Sequence, residues 1–242
     1  MKFLIDTHTH TVASGHAYST LLENVRYAKE NGLKIMAVTD HAPTLMGSTS
    51  IMHFYNLKVI PRVIDGIEVL RGVEANIIDY DGNLDVPDSL LSQLDLVIAS
   101  LHDVCIKPGS REENTNAVLK AMDNKYIDIL GHIGNPVFEI DVDAVVKGAK
   151  EKNVLIEINN SSFVSSRKGS YENCSIIARK AKEIGARLVL GSDAHICFNV
   201  GKFDKADQLI REVDIPEDLI MNVSVEKFKK YLHDKGKIMD IK

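Results

Sequence analysis

The stretch FLIDTHTH, residues 3–10, joins a short apolar segment to a pair of histidines. Phe3 to Asp6 has the apolar, β-branched character of a buried strand. Alternate side chains of an extended chain point to the same side, so His8 and His10 face the same way. A strand that ends in two convergent imidazoles predicts a polar site at its carboxyl end.

Further apolar runs along the chain also predict buried strands, and helical segments separate them. These runs are residues 35–39, 67–73, 94–100, 127–131, 154–158 and 188–190. A capping box of Thr20 and Glu23 opens one predicted helix, which closes before Gly32, and others begin at Asp141 and near Tyr171. The alternation predicts an α/β fold with a mainly parallel sheet, either rolled into a barrel or left open.

The polar residues decide between these two architectures. A histidine or an acidic residue lies at or just beyond nearly every predicted strand: His16, Asp40, His41, Glu74, His102, His132, Asp193 and His195. In a barrel the carboxyl ends of all strands open onto one face, whereas a doubly wound sheet concentrates its site at one switch point. No Gly-rich turn follows the first predicted strand. We therefore expect a barrel with a shared site on one rim.

Recurrence makes metal binding the better interpretation of these histidines. One histidine beside a strand is more often structural than a ligand, but seven of the nine histidines sit at or beyond strand ends. Burying so many polar groups uncompensated would cost on the order of several kcal/mol each, and divalent cations reverse that cost. Nitrogen and oxygen ligands without cysteine favour zinc, with manganese or iron as alternatives. Nine candidate ligands imply more than one ion.

The composition narrows the class of partner. The chain has 242 residues and a net charge of -5, and it has no dense basic run that would track a nucleic acid. A small anionic substrate remains compatible, because bound metals supply local positive charge. Three cysteines without paired spacing fit reduced thiols, and no apolar run is long enough to act as a signal or membrane segment. We expect a cytoplasmic protein without a membrane or nucleic-acid partner.

In their order along the chain, these motifs resemble the metal motifs of the PHP (polymerase and histidinol phosphatase) family. The matching positions are His8-x-His10, His16, Asp40-His41, Glu74, His102, His132 and Asp193-x-His195. The stretch EINNSSF at 157–163, followed by 166–170 and 173–174, is similar to the YcdX-like phosphatases of that family. The resemblance covers nearly the whole chain. It implies one domain over residues 1–242 that folds as a distorted (β/α)7 barrel. It also implies hydrolysis of a small phosphate ester, and we expect a phosphomonoester.

The resemblance also implies three zinc ions in a cleft at the carboxyl ends of the strands. It assigns the first ion to His8, His10, Glu74 and Asp193, the second to Glu74, His102 and His132, and the third to His16, His41 and His195. Glu74 would bridge two ions, and its negative charge would screen the repulsion between cations roughly 3.5 to 4 Å apart. The expected chemistry is direct attack on phosphorus by a metal-bound hydroxide, without a protein nucleophile.

Four further charged residues could support the site. Arg167 and Lys168 follow the sixth strand and are expected to contact a substrate phosphate, although they also fit a solvated turn before a helix. Asp6 and Asp40 precede candidate ligands and either orient imidazoles or cap loops.

Three other interpretations stay open at the level of sequence. An amidohydrolase barrel also begins with His-x-His, but His16 and the Asp193-x-His195 pair favour a three-metal arrangement. A nuclease of the same family is the second alternative, and the acidic net charge argues against it. The third is a non-catalytic metal-binding regulator, for which lost ligands would be the expected signature.

Overall fold

The structure is a computed structural model, and residues 1–237 are described. The strands are β1 (Ile5–Asp6), β2 (Ile35–Val38), β3 (Val63–Ile64), β4 (Ile67–Asn76), β5 (Leu96–Ser100), β6 (Ile129–Gly131), β7 (Leu155–Asn159) and β8 (Leu188–Gly191). The α-helices are α1 (Leu21–Glu30), α2 (Ile51–Asn56), α3 (Asp88–Leu91), α4 (Arg111–Ala121), α5 (Val142–Glu151), α6 (Ser161–Val164), α7 (Ser170–Ile184), α8 (Asp204–Glu212) and α9 (Val225–Asp234). Short 3-10 helices span Val12–Ser14, Leu57–Val59, Cys197–Asn199, Glu217–Leu219 and Met221–Val223.

Seven parallel strands form a nearly closed barrel in the order β1-β2-β4-β5-β6-β7-β8. A parallel bridge between Thr9 and Ala194 joins the exits of β1 and β8. Below it, the Asn222 side chain donates to the carbonyls of Ile5 and Leu190, at 2.8 Å each. The predicted (β/α)7 barrel is confirmed.

The seven predicted strand segments correspond to the seven barrel strands, with ends that differ by up to three residues. The short strand β3 was not predicted. It pairs antiparallel with the start of β4 and lies off the barrel path. Two residues carry too little periodicity to signal a strand.

The lower interior of the barrel is apolar. Inward-facing residues of the strands form one buried cluster with helix α9, which contributes Phe228, Tyr231 and Leu232. Helix α9 therefore closes the amino-terminal end of the barrel. A second, larger apolar cluster, which includes Val25, joins the outer strand faces to the surrounding helices.

The upper interior of the barrel is polar, and glycines make room for it. A Cβ atom on Gly191 would collide with Glu157 Oε1, and one on Gly131 would collide with Ser100 Oγ. Both strands can therefore pass close to buried polar side chains only as glycine. This places the buried carboxylates at the carboxyl end of the barrel.

Helix α1 begins as predicted: the Thr20 side chain accepts from the Glu23 backbone, and Glu23 caps the Thr20 backbone in return. Among residues 1–237, every helix is too short or too polar to cross a bilayer.

Candidate metal centre

The nine predicted ligands converge at the carboxyl end of the barrel, where Glu74 lies at the centre. Its Oε1 atom lies 2.8 Å from His132 Nε2 and 3.3 Å from His102 Nε2. Its Oε2 atom lies 3.3 Å from His8 Nε2 and 3.6 Å from His10 Nε2. The two oxygens of one carboxylate thus face different sets of imidazoles, as a bridging ligand requires.

Asp193 presents one oxygen to the centre and uses the other to hold its own position. Asp193 Oδ1 lies 3.2 Å from His10 Nε2 and 3.7 Å from His8 Nε2. Its Oδ2 accepts from Arg167 Nη1 at 3.0 Å and from Asn159 Nδ2 at 3.2 Å. Two donors therefore fix the carboxylate with Oδ1 directed at the imidazoles.

The remaining predicted ligands are His16, His41 and His195, of which His16 and His195 lie nearer the solvent and His41 is buried. His16 Nε2 and His195 Nε2 are 2.9 Å apart, and the His16 and His41 rings stack with centroids 5.0 Å apart. His41 Nδ1 lies 2.7 Å from Glu74 Oε2, so His41 connects this outer group to the deep one. The His195 side chain is 28% exposed, whereas that of His8 is fully buried.

Two buried side chains that the sequence analysis did not single out orient these imidazoles. Glu157 Oε1 lies 2.7 Å from His8 Nδ1, and Asn76 Oδ1 lies 2.7 Å from His102 Nδ1. An acceptor at Nδ1 places the proton there and leaves Nε2 free to bind a metal. Alternate side chains of a strand point to the same face, so Asn76 lies on the same face of β4 as Glu74. This spacing could have identified Asn76 from the sequence.

Asp6 and Asp40 differ in role. Asp40 accepts from Ser14 Oγ at 2.7 Å, and Ser14 Oγ lies 3.0 Å from His10 Nδ1, so Asp40 acts on that imidazole through Ser14. Asp6 instead accepts from backbone N–H groups, including those of Ser192 and Gly201, which is the loop-cap alternative.

Burial and mutual contacts set the charges of this cluster. Burial disfavours the charged form of Glu74, but His41, His8 and His102 outweigh it and hold the pKa of Glu74 well below its usual range. The pKa of Asp193 is lowered in the same way, against burial, by His8, His10 and Arg167. Two anionic carboxylates therefore persist at neutral pH.

Two of the imidazoles are kept neutral. Burial and the neighbouring imidazoles lower the pKa of His10 well below its usual value. Burial, with the positive charge of Arg167, lowers the pKa of His132 to about 4. His10 and His132 are thus in the neutral state in which imidazoles bind metals. Against the effect of burial, Glu157, Glu74 and Asp193 raise the pKa of His8 well above its usual value, so a metal ion bound there would displace a proton.

The buried polar atoms at the centre fit divalent metal ions. Six of them make no hydrogen bond of acceptable geometry within the described chain, although His41 Nδ1 and Glu74 Oε2 lie 2.7 Å apart: His8 Nε2, His10 Nε2, His41 Nδ1, Glu74 Oε2, His102 Nε2 and Asp193 Oδ1. Leaving such atoms unpaired is costly, and cations would satisfy them together. The donor set is nitrogen and oxygen only, which suits zinc.

Three sets of residues each offer ligand atoms that lie within 4.8 Å of one another. The sets are His8 with His10 and Asp193, His41 with Glu74 and His102, and His10 with His41 and His195. These sets overlap with the predicted groups but do not coincide with them. His10 and His41 each belong to two sets. His16 and His132 belong to none of the three, although His16 contacts His195 and His132 contacts Glu74.

A cleft of about 360 Å³ opens onto the cluster. Its walls include the outer histidines, Leu45, Asn199, three serines of the segment after β7, and Arg167. Of the two predicted phosphate contacts, Arg167 therefore reaches the cleft. Lys168 is exposed and lines a neighbouring cleft with Phe163 and Tyr171.

Comparisons with known proteins agree with this architecture. The PHP domain model matches residues 6–161. A probable phosphatase of Clostridium botulinum is 55% identical, with 100% of this chain and 99% of the relative covered. A probable phosphatase of Clostridium novyi is 53% identical over the same shares.

Among solved structures, the fold is similar to a histidinol phosphate phosphatase of Lactococcus lactis complexed with zinc, L-histidinol and phosphate. The TM-score is 0.61 at 17% identity, covering 89% of this chain and 95% of that one. At this identity the likeness concerns the fold alone. The matched family model and the close full-length relatives show that this chain belongs to the PHP domain family, as its metal motifs predicted.

Proposed function

We propose that this PHP-family phosphatase, working as a single domain, hydrolyses small phosphomonoesters at a site that holds three divalent metal ions, with zinc as the preferred ion. The observation that carries the proposal is the set of six unpaired buried donor atoms around Glu74. Relatives more than half identical over their full length are named probable phosphatases.

The proposed ligands are those predicted from the sequence. His8, His10, Glu74 and Asp193 would hold one ion, Glu74, His102 and His132 a second, and His16, His41 and His195 a third. When bound, the ions would lower the pKa of a ligated water to about 7 and neutralise charge on the phosphate oxygens.

The protein's own side chains orient this site. Glu157 and Asn76 hold the His8 and His102 rings by Nδ1, and Asn159 holds Asp193. Arg167 lies at the cleft wall with its Nη1 on Asp193 Oδ2, so its guanidinium can also bind a phosphate oxygen. A cleft of about 360 Å³ is at the small end of ligand sites, which are typically about 300–1,000 Å³, and suits a small substrate.

The test is a panel of phosphomonoesters, phosphodiesters and oligonucleotides, assayed with zinc, with manganese and with a chelator. Phosphate release should be greatest for monoesters, stop with the chelator, and be lost in His10→Ala. Activity that survives both chelation and His10→Ala would refute metal dependence. Preferred cleavage of oligonucleotides would favour the nuclease alternative.

A second experiment tests direct attack on phosphorus. Hydrolysis in ¹⁸O-labelled water should place one solvent oxygen in the released phosphate, which shows cleavage of the P–O bond, and a single displacement by water should invert the configuration of a phosphate made chiral with oxygen isotopes. A trapped phosphoenzyme would contradict direct attack, because it requires a protein nucleophile.

A further inference from the structure

The cleft wall beyond the candidate ligands has a distinct chemistry. It is formed by Leu45, Ser161, Ser165, Ser166, Arg167 and Asn199. This set contains three hydroxyls, one amide, one cation and one aliphatic side chain. Among the described residues that line the cleft, the one carboxylate is Asp193, whose Oδ2 is bound by Arg167 and Asn159 and whose Oδ1 faces imidazoles.

The serine hydroxyls are weakly engaged by the protein. Ser161 Oγ lies 3.4 Å from both Ser165 Oγ and Ser166 Oγ, at the long limit of a hydrogen bond. Each hydroxyl can donate one hydrogen bond and accept two. Ser161 and Ser165 can therefore exchange these long contacts for better ones to hydroxyl groups of a ligand.

Arg167, the cation of the wall, also has N–H donors that the described part of the protein leaves free. Arg167 donates from Nη1 to Asp193, Ser162 and Ser166, and within residues 1–237 its Nε and Nη2 make no hydrogen bond. The remaining N–H groups can donate to oxygen but would repel an ammonium group.

We infer that the site selects phosphomonoesters whose leaving group carries hydroxyl groups and no positive charge, as in polyol phosphates, over those of amino alcohols. A cationic leaving group would meet Arg167 and the metal ions without a free carboxylate to bind it. The inference rests on the proposed function and names its substrate class. L-Histidinol, the ligand named in the Lactococcus structure, is itself an amino alcohol, so this chain would differ from that enzyme in substrate.

The test compares kcat/KM for three phosphomonoesters of similar size: glycerol 1-phosphate, propyl phosphate and 3-aminopropyl phosphate. Their leaving groups differ in hydroxyl and ammonium groups. We expect glycerol 1-phosphate to exceed propyl phosphate by about tenfold, since each hydrogen bond contributes up to about tenfold. The 3-aminopropyl ester should be the slowest.

Variants then assign the preference to the cleft wall. The double variant Ser161→Ala with Ser165→Ala should lower the ratio of kcat/KM for glycerol 1-phosphate to kcat/KM for propyl phosphate to about one. Ser165→Asp should raise the relative rate of the 3-aminopropyl ester. Ser92→Ala, at the exposed end of α3, is the matched control and should preserve the order of all three esters.

The outcomes separate the two claims. A 3-aminopropyl ester hydrolysed as fast as the glycerol ester, or serine variants that slow all three esters equally, would overturn the inference while the proposed function stands. No metal-dependent phosphate release from any ester would overturn the proposed function and this inference with it.

Discussion

The two ends of the barrel both bury charged groups, but they compensate them differently. At the amino-terminal end, Asp128 Oδ2 accepts from the Val97 backbone and pairs with the opposite charge of Lys237 Nζ at 2.9 Å, and the other oxygen, Oδ1, is the one atom of this carboxylate that lacks a hydrogen-bond partner among the described residues. At the carboxyl end, Glu74 Oε2 and the Nε2 atoms around it lack hydrogen-bond partners in the part of the chain that is described.

This difference separates stability from function. The amino-terminal end pairs its charge with protein groups and packs apolar volume, which contributes to the free energy of folding. The carboxyl end gathers donor atoms that cations would satisfy. Substitutions at the two ends should therefore affect different measurements, as in other barrels whose catalytic face lies at the strand carboxyl ends.

Glu74→Gln should have the largest effect. It removes the charge of the proposed bridging ligand with little change in volume. Loss of an outer-shell partner alone typically costs about 10- to 100-fold, so loss of a ligand shared by two ions should lower phosphatase activity by more than about 100-fold. Glu68→Gln, on the same strand, is the matched control. Activity and metal content equal to wild type in Glu74→Gln would contradict the bridging role.

Phe228→Ala should affect stability at the opposite end. Phe228 of α9 is fully buried where this helix closes the amino-terminal end of the barrel, and Phe→Ala in a core costs about 3–5 kcal/mol in the free energy of unfolding. Denaturant unfolding measures this loss, and kcat should be retained below the melting temperature. Phe198→Ala, at a half-exposed position, should cost much less. A variant that loses kcat without losing stability would break the proposed separation.

Acid should lower the free energy of unfolding of the metal-free protein through the protonation of His132. Burial and Arg167 lower its pKa from 6.5 to about 4, so the unfolded chain takes up a proton below pH 6.5 that the folded protein does not accept until about pH 4. The free energy of unfolding should therefore fall between these values, by about 3 kcal/mol for this group.

His132→Asn should remove that contribution, because Asn tolerates the left-handed backbone at this position, where φ is 32°. The measurement is the free energy of unfolding against pH in chelator. His233→Asn, at an exposed position of α9, is the control. An unchanged pH dependence in His132→Asn would contradict the assignment.

Glu157→Gln should have the smallest effect of the four. Glu157 lies behind His8 and is not a proposed ligand, and loss of such an orienting partner typically weakens metal binding about 10- to 100-fold. Competition with a chelating dye measures the dissociation constant, with Glu151→Gln at the exposed end of α5 as the control. Equal affinity in Glu157→Gln and wild type would show that His8 needs no orienting carboxylate.

Sequence patterns were sufficient for the barrel because each strand is a local apolar run and each candidate ligand follows one. They did not identify Glu157 as an orienting residue, since that role depends on a contact with His8, 149 positions away in the chain. The closure of the amino-terminal end of the barrel by α9 could not be predicted either, because it depends on tertiary packing. The engagement of Arg167 with Asp193 required the path of the loop after β7.

The proposed cluster of three ions should be required for hydrolysis of the phosphate ester. Titration of the metal-free protein with zinc, following bound zinc per chain and phosphate release together, measures both properties in one experiment. We predict saturation at three ions per chain, with full activity reached only as the third ion binds. Saturation at two ions, or full phosphatase activity without bound metal, would rule out a required cluster of three ions.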